Sequence, residues 1–291
     1  MSRRIALLVN PTSGKGRAAR VAGPVAARLR AGGADVTEIV GTDAADAEER
    51  ARKAVADGID TLVALGGDGI VHTAIQAVAG TGVPLGIVGA GTGNDLAREL
   101  QIPTEPDEAA DLVLAATPRT IDAVQSDNGR WFGGVLGSGF DSMVNERANQ
   151  MSWPKGKSRY NLAILAELRV FKPLPFRITL DGEVWDTEAM LVAVGNGTSY
   201  GAGMRVCPSA RLDDGLPDVT VLGPVSKLTF IRTFPSVYKG THVNRPEVTV
   251  RQAREVRLES AGVVAYADGE RFAPLPLTCT CVPGALTVLA P

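Results

Sequence analysis

The stretch LVALGGDGIVHTAIQAV, residues 62–78, carries the clearest fold signal in this chain. An apolar run typical of a buried strand leads into Gly66, Gly67, Asp68 and Gly69, and a helical pattern follows them. Glycine lets a backbone adopt conformations that other residues avoid, and it lets the backbone approach a ligand closely. The stretch therefore predicts a strand, a ligand-binding turn and a helix, in that order.

The first 123 residues repeat this alternation of strand and helix. Helical patterns separate four short apolar segments, which are RIALLV, ADVTEIV, DTLVAL and VPLGIV. Because such alternation is typical of a parallel sheet covered by helices, we expect a doubly wound α/β/α domain over residues 1–123. Ligands of such sheets bind beyond the carboxyl ends of the strands.

Residues 124–283 have a different pattern, with short β segments separated by turns. Two helical patterns interrupt them, over residues 158–171 and 225–238. This predicts an antiparallel β-sandwich as the second domain. The segment 284–291, GALTVLAP, predicts a strand that returns to the first domain. The fold class is therefore α/β.

Composition limits the classes of partner and compartment. The chain has 291 residues, 21% of them charged, and a net charge of −2, so we expect no nucleic acid partner. Three cysteines, Cys207, Cys279 and Cys281, argue against a disulfide framework and favour a reducing compartment. No apolar segment approaches the length of a membrane span. We therefore expect a cytoplasmic protein with peripheral membrane contact only.

Three glycine-containing turns follow predicted strands: NPTSGKG (10–16), GGDG (66–69) and GAGTGND (89–95). Backbone N–H groups of such turns bind phosphate groups. The first turn is not a Walker A loop, and no dinucleotide fingerprint is present. Asp68 needs a cation beside a phosphate, and Mg²⁺ is the natural one. Taken singly, NPTSG is also an ordinary turn, and Asp95 is also an ordinary helix cap.

The motifs NPTSG, GGDG, GTGND and a late DGE, in this order over residues 10–270, resemble the bacterial soluble diacylglycerol kinases. These lipid kinases share a catalytic domain with sphingosine and ceramide kinases. The segment VPLGIVGAGTGNDLAREL, residues 83–100, resembles the actinobacterial members in particular.

The resemblance implies an ATP- and Mg²⁺-dependent kinase that converts diacylglycerol to phosphatidic acid. Its active site would lie between a nucleotide-binding domain and a lipid-binding β-sandwich. The lipid substrate would be met at the inner face of the plasma membrane, and a homodimer is compatible with the pattern.

The resemblance also implies a set of site residues. Glu270 would be the catalytic base, with Asp268 beside it, and Asp68 would serve the nucleotide's Mg²⁺. A second Mg²⁺ would be held by the carboxylate of Asp214 and the main-chain carbonyls of Arg211 and Leu216, near a carboxylate network that includes Asp95 and Asp122. The implied nucleotide contacts are Asn10, Pro11, Thr12, Ser13, Gly14, Thr42, Gly66, Gly67, Asp68, Gly69, Ile70, Val71, His72, Thr73, Gly91, Thr92 and Asn94.

Some positions depart from the family's usual pattern. Ile70 replaces the common threonine, His72 and Thr73 replace an Asn-Glu pair, and Gly89 replaces a proline. These changes motivate an alternative, a nucleotide- or lipid-binding regulatory protein without turnover. Another alternative is a kinase for a different alcohol, such as a sphingoid base or a soluble metabolite. NAD kinases also carry GGDG, but their later motifs are not evident in this sequence.

Other segments have ordinary interpretations beside functional ones. Asp-Gly-Glu occurs at 181–183 and at 268–270, and each copy is typical of a hairpin turn; only the resemblance assigns the later copy to the site. The acidic segment near Asp214 is also typical of a solvated turn. The cluster of Lys155, Lys157 and Arg159 is as typical of an ordinary solvated surface as of a site for anionic lipid headgroups. The two helical patterns of the second domain could line an acyl-chain cleft or cover the sheet.

Overall fold

The computed structural model describes residues 2–151, 153, 162–163, 166–167, 169 and 172–291. The predicted basic cluster of Lys155, Lys157 and Arg159 lies outside the described residues. Of the helix predicted over 158–171, only five residues are described, and all five are helical.

The first domain is built on parallel strands in the order β2-β1-β3-β4. Strands β1 and β3 are buried almost throughout, because helices cover both faces of the sheet. The elements are β1 (Arg4–Val9), α1 (Ser13–Ala31), β2 (Asp35–Val40), α2 (Ala44–Ala56), β3 (Thr61–Gly66), α3 (Asp68–Val78), β4 (Leu85–Gly89), α4 (Asp95–Glu99) and α5 (Pro106–Ala115).

The strand order determines where a ligand can bind. From β1 the chain moves outward to β2, and it then returns past β1 to β3 and β4. Because such crossovers are right-handed, α1 lies on one face of the sheet, and α2 and α3 lie on the other. Accordingly, α1 packs against α5, and α2 packs against α3. The turns after β1 and β3 therefore flank the crevice at which doubly wound sheets bind ligands.

The second domain packs two antiparallel layers against each other. One layer is a sheet in the order β12-β11-β10-β7-β14-β15, and the facing layer contains β13, β8 and β9. The elements are β5 (Pro118–Ser126), β6 (Trp131–Phe132), β7 (Val135–Gly139), α6 (Phe140–Gln150), β8 (Leu174–Leu180), β9 (Glu183–Ala189), β10 (Leu191–Gly195), β11 (Asp218–Leu222), α7 (Lys227–Val237), a 3₁₀ helix (Thr241–Asn244), β12 (Val248–Gln252), β13 (Glu255–Glu259), β14 (Val264–Ala267), β15 (Glu270–Pro274) and β16 (Leu277–Leu289). The predicted α/β domain followed by an antiparallel β-sandwich is confirmed.

Strand β16 joins the two domains. Its first residues pair antiparallel with β13, and Val288 near its end pairs parallel with Leu85 of β4. Strand β5 pairs along it, with a register irregularity between Val282 and Leu286. The sheet therefore continues from one domain into the other, and this fixes the orientation of the β-sandwich over the carboxyl edge of the first domain. Among the helices that the structure describes, none has the length and apolar character needed to cross a membrane.

Candidate active site

The three glycine turns meet at one place. The hydroxyl of Ser13, after β1, accepts a hydrogen bond from the N–H of Gly67, after β3, at 3.3 Å. A Cβ on Gly91, after β4, would lie 2.5 Å from the Cα of Gly67, so these two turns are in backbone contact. A Cβ on Gly14, whose φ is +59°, would collide with the carbonyl oxygen of Ala90. Glycine is therefore required for this close packing, and the turns form one surface of backbone N–H groups.

Asp68 ties the GGDG turn to the GTGND turn. Its two carboxylate oxygens accept the N–H groups of Asn94, at 2.9 Å, and of Asp95, at 2.6 Å. Burial raises the pKa of Asp68, and the negative charges of Asp95 and Asp268 raise it further, while the two N–H donors oppose the rise. The carboxylates therefore repel one another, and this arrangement would favour a bound cation.

Asp95 links the first domain to the second. Its carboxylate accepts the N–H groups of Ala202 at 3.0 Å and of Gly203 at 2.8 Å, in the loop between β10 and β11. It also pairs with Arg98 of its own helix at 2.7 Å. Its side chain is thus an interdomain anchor rather than a cap of α4.

The later Asp-Gly-Glu forms the turn between β14 and β15, with Asp268 at a φ of +52°. Asp268 accepts the N–H groups of Gly133, at 3.3 Å, and of Gly134, at 2.9 Å. The Glu270 carboxylate lies against the GGDG turn, because a Cβ on Gly69 would be 2.5 Å from Glu270 Oε1. The second domain therefore places a carboxylate directly at the GGDG turn of the first.

The earlier copy of the motif lies elsewhere. It forms the turn between β8 and β9, where Asp181 accepts the N–H groups of Arg254 at 3.1 Å and Glu255 at 2.8 Å. Glu183 is exposed and pairs with Arg251. Both copies are therefore hairpin turns, but only the later one lies at the GGDG turn of the first domain.

The environment of Glu270 makes it a better proton acceptor. Partial desolvation against the GGDG turn raises the pKa of its carboxyl, although the residue as a whole is exposed. His72 opposes this rise, whereas the nearby charges of Asp268 and Asp68 add to it. A carboxylate with a raised pKa is more basic than an exposed one, as a general base requires.

His72 is buried between the domains. Its Nδ1 lies 3.2 Å from Asp268 Oδ2, and its Nε2 lies 3.5 Å from a guanidinium nitrogen of Arg130. The amide nitrogen of Gln76 also approaches Nε2, at 3.4 Å. The sequence placed His72 among nucleotide contacts, and the structure places it also behind the Asp268–Glu270 turn.

A cleft of about 610 Å³ opens in front of these turns, a size suited to a nucleotide. Arg130 and Arg271, which sequence analysis did not single out, also line it, and they pair with Glu48 at 3.6 Å and Glu146 at 2.9 Å. The sequence-predicted residues that line it are Asn10, Pro11, Thr12, Thr42, Gly69, Ile70, His72, Thr73 and Glu270.

The remaining predicted nucleotide contacts lie around this cleft. Ser13, Gly14, Gly66, Gly67, Gly91 and Asn94 lie in the turns that pack together beside it. Thr92 is exposed in the third turn. Val71 lines a small cavity on the other side of α3, together with Asp68, Asp95 and Asp268.

The proposed second metal loop lies at the interdomain strand pair. Asp122 of β5 accepts the N–H groups of Gly215 at 2.6 Å and Gly284 at 2.8 Å, which places the loop of Arg211, Asp214 and Leu216 against β16. Asp214 accepts the N–H of Leu216 at 3.1 Å. Asp122 therefore lies at this loop, whereas Asp95 bonds to a different one. Within the described ranges, no three His, Cys, Asp or Glu side chains form a metal-binding group, and the second Mg²⁺ stays a prediction.

Asp141, near the start of α6, is a half-buried acid that sequence analysis did not find. Its Oδ2 accepts the hydroxyl of Tyr200 at 2.8 Å, and its Oδ1 is inaccessible and has no hydrogen-bond partner among the described residues. Burial raises the pKa of Asp141 to about 6, although the Tyr200 hydrogen bond opposes the rise. The folded state therefore binds a proton up to about pH 6 that the unfolded chain has already released.

Replacing Asp141 with asparagine should remove this pH dependence. The wild type should lose stability as pH rises from about 4 through about 6, by up to about 3 kcal/mol, since the folded pKa is the higher one. We expect chemical denaturation at pH 4.5 and 7.5 to show that the free energy of unfolding of Asp141→Asn, relative to that of the wild type, is higher at pH 7.5 than at pH 4.5. Asp35→Asn, at the exposed start of β2, is the control. If the difference in the free energy of unfolding between Asp141→Asn and the wild type is the same at both pH values, Asp141 does not have a raised pKa in the folded protein.

Comparison with known proteins agrees with this geometry. Residues 4–126 match the diacylglycerol kinase catalytic domain, and residues 134–290 match the YegS C-terminal NAD kinase beta sandwich-like domain. The chain is 48% identical over 294 residues to a diacylglycerol kinase of Mycobacterium tuberculosis, covering 99% of this chain and 95% of the relative.

Solved structures share the fold. A Bacillus anthracis structure assigned as a diacylglycerol kinase superposes with a TM-score of 0.82 at 25% identity, over 99% of this chain and 95% of that one. An NAD kinase of Archaeoglobus fulgidus shares the fold alone, with a TM-score of 0.56 at 12% identity over 98% and 93% of the two chains. With the diacylglycerol kinase catalytic domain and the YegS C-terminal domain matched in order, and with 48% identity to a diacylglycerol kinase, the chain belongs to the diacylglycerol kinase family of lipid kinases.

Proposed function

We propose that this protein is an ATP- and Mg²⁺-dependent lipid kinase that phosphorylates diacylglycerol to phosphatidic acid. One observation carries the proposal: Glu270 of the second domain lies against Gly69 of the glycine turn. A proton acceptor is thereby held where a transferred phosphoryl group would sit. The relative named diacylglycerol kinase in Mycobacterium tuberculosis supports the choice of acceptor.

The nucleotide would lie in the 610 Å³ cleft, with its phosphates at the backbone N–H groups of the three turns. Arg130 and Arg271 line the same cleft. Asp68 would supply a hard carboxylate oxygen to Mg²⁺, and the negative charges of Asp95 and Asp268 beside it would favour a cation at that place. Bound Mg²⁺ would neutralise part of the phosphate charge.

In the transfer step, the hydroxyl oxygen of the lipid attacks the γ-phosphorus, and the bond to the bridging β,γ-oxygen breaks. The hydroxyl proton passes to Glu270, and ADP leaves. Asp268 would not touch the substrate; it would hold the turn in place through Gly133, Gly134 and His72. The β-sandwich domain would bind the lipid, with the protein at the inner face of the plasma membrane.

Incubation of the purified protein with γ-labelled ATP, Mg²⁺ and diacylglycerol tests the proposal. Labelled phosphatidic acid is expected, at a higher rate than the products of parallel reactions with sphingosine, ceramide and NAD⁺. Calorimetric ATP binding without transfer to any acceptor would instead favour a regulatory protein. Preferred transfer to sphingosine or NAD⁺ would reject diacylglycerol as the substrate.

A further inference from the structure

Helix α7 is apolar on two sides. Its inner side, with Phe230, Phe234 and Val237, lines an apolar cavity of about 110 Å³. On its other side Leu228 and Ile231 are 56% and 52% exposed, and Tyr238, which follows the last turn, is 50% exposed. A surface helix normally has one apolar side, which packs against the core. A second apolar side is typical of a helix that is covered on that side as well.

The positions of these residues follow from helix geometry. At 100° per residue, Leu228, Ile231 and Arg232 fall within a stripe of about 100° on α7. The cavity-lining side chains fall in the opposite stripe. Tyr238 and Lys239 are exposed in the turn that follows the helix.

The charged residues of the segment 219–246 are all cationic, although Glu247 just after it pairs with Arg245 at 3.4 Å. Residues 219–246 contain no Asp or Glu, while Lys227, Arg232, Lys239 and Arg245 lie among them. Arg232 and Lys239 are exposed beside the apolar stripe. Apolar side chains flanked by cations, on a helix with its polar groups at the edges, are typical of helices that lie in the surface of an anionic bilayer.

The cavity beneath α7 leads toward the acid cluster. Tyr200 forms part of its wall, and the same Tyr200 lines the small cavity that contains Asp68, Asp95 and Asp268. The apolar cavity thus lies between α7 and the acid cluster of the proposed reaction centre, and the Tyr200 side chain borders both cavities. A bilayer against the outer side of α7 would lie close to this apolar cavity.

We propose that α7 is the element by which this protein lies on an anionic lipid bilayer. Leu228, Ile231 and Tyr238 enter the interface, and Arg232 and Lys239 meet the headgroups. This deepens the proposed function, on which it rests for its purpose, although binding to a bilayer requires no turnover.

Sedimentation with vesicles tests the proposal. The full chain should bind phosphatidylglycerol–phosphatidylcholine vesicles and bind pure phosphatidylcholine vesicles much more weakly. Arg232→Ser/Lys239→Ser should weaken binding to the anionic vesicles about 25-fold, at about fivefold per charge. Leu228→Ser/Ile231→Ser should weaken it by at least about tenfold. Val184→Ser, which changes an equally exposed residue on β9, should bind like the wild type.

Two measurements keep the test decisive. Melting temperatures within a few degrees of the wild type show that the variants fold, and size-exclusion chromatography detects a second copy as the alternative occupant. Wild-type vesicle binding by folded Leu228→Ser/Ile231→Ser would overturn the proposal, as would a wild-type dimer that this variant loses.

Activity on a short-chain diacylglycerol dispersed without vesicles separates this proposal from the proposed function. The α7 variants should retain wild-type turnover there. Vesicle binding that depends on α7, with no lipid phosphorylated, would reject the proposed function alone. If the protein phosphorylates diacylglycerol and the α7 variants bind vesicles like the wild type, only the proposed role of α7 is rejected.

Discussion

Glu270→Gln should lower kcat for phosphoryl transfer by at least about 100-fold, while the affinity for ATP stays close to that of the wild type. Glutamine keeps the size of the side chain against Gly69 but cannot accept the hydroxyl proton. The loss should therefore fall on the chemical step and not on nucleotide binding. Steady-state kinetics with varied ATP, together with ATP calorimetry, measure the two quantities separately.

The chain contains its own matched control for this experiment. Glu183 ends the other Asp-Gly-Glu turn, is exposed, and pairs with Arg251 at 3.3 Å, away from the cleft. Glu183→Gln should leave kcat unchanged. A Glu270→Gln enzyme that retains more than about a tenth of wild-type kcat would remove Glu270 as the general base.

Asp68→Asn should have the second large effect, on both kcat and the KM for ATP. Asparagine offers one oxygen where Asp68 uses two, so its amide group would face the N–H of Asn94 or of Asp95. Losing one charged hydrogen bond costs about 1.5–3 kcal/mol, which corresponds to roughly 10–100-fold in rate or affinity. Loss of the negative charge near the proposed Mg²⁺ should take the total beyond about 100-fold in kcat/KM.

Asp181→Asn is the matched control, because Asp181 also accepts the N–H groups of two successive residues, Arg254 and Glu255. It should lower the free energy of unfolding to some degree and leave kcat and KM unchanged. If Asp68→Asn affects only stability, as Asp181→Asn should, then Asp68 serves the turn and not the nucleotide.

Part of this architecture could be predicted from local patterns. The apolar periodicity of β1, β3 and β4 requires burial on both sides, and the turns after them contain glycines that only close approach explains. With the right-handed crossover rule, these patterns place the turns at one edge of a sheet. The glycine turns that border the cleft were therefore within reach of local patterns, whereas the individual nucleotide contacts were implied only by the family resemblance.

Other features depend on contacts between residues far apart in the chain. Nothing local distinguishes the turn at 268–270 from the turn at 181–183; the difference is that the pairing of β16 with both β4 and β13 brings the later one onto Gly69. The same holds for Asp95, whose local pattern is that of a cap and whose partners lie more than 100 residues away.

Periodicity and backbone freedom over a few residues are enough to specify the alternation of elements, the three glycine turns and the acidic residues available to the site. Which acids meet depends on contacts between distant segments: Glu270 lies against Gly69, His72 lies beside Asp268, and Asp141 is hydrogen-bonded to Tyr200. Local patterns could not show this, because desolvation and charge repulsion, which set the chemistry of these carboxylates, arise from neighbours that the fold supplies.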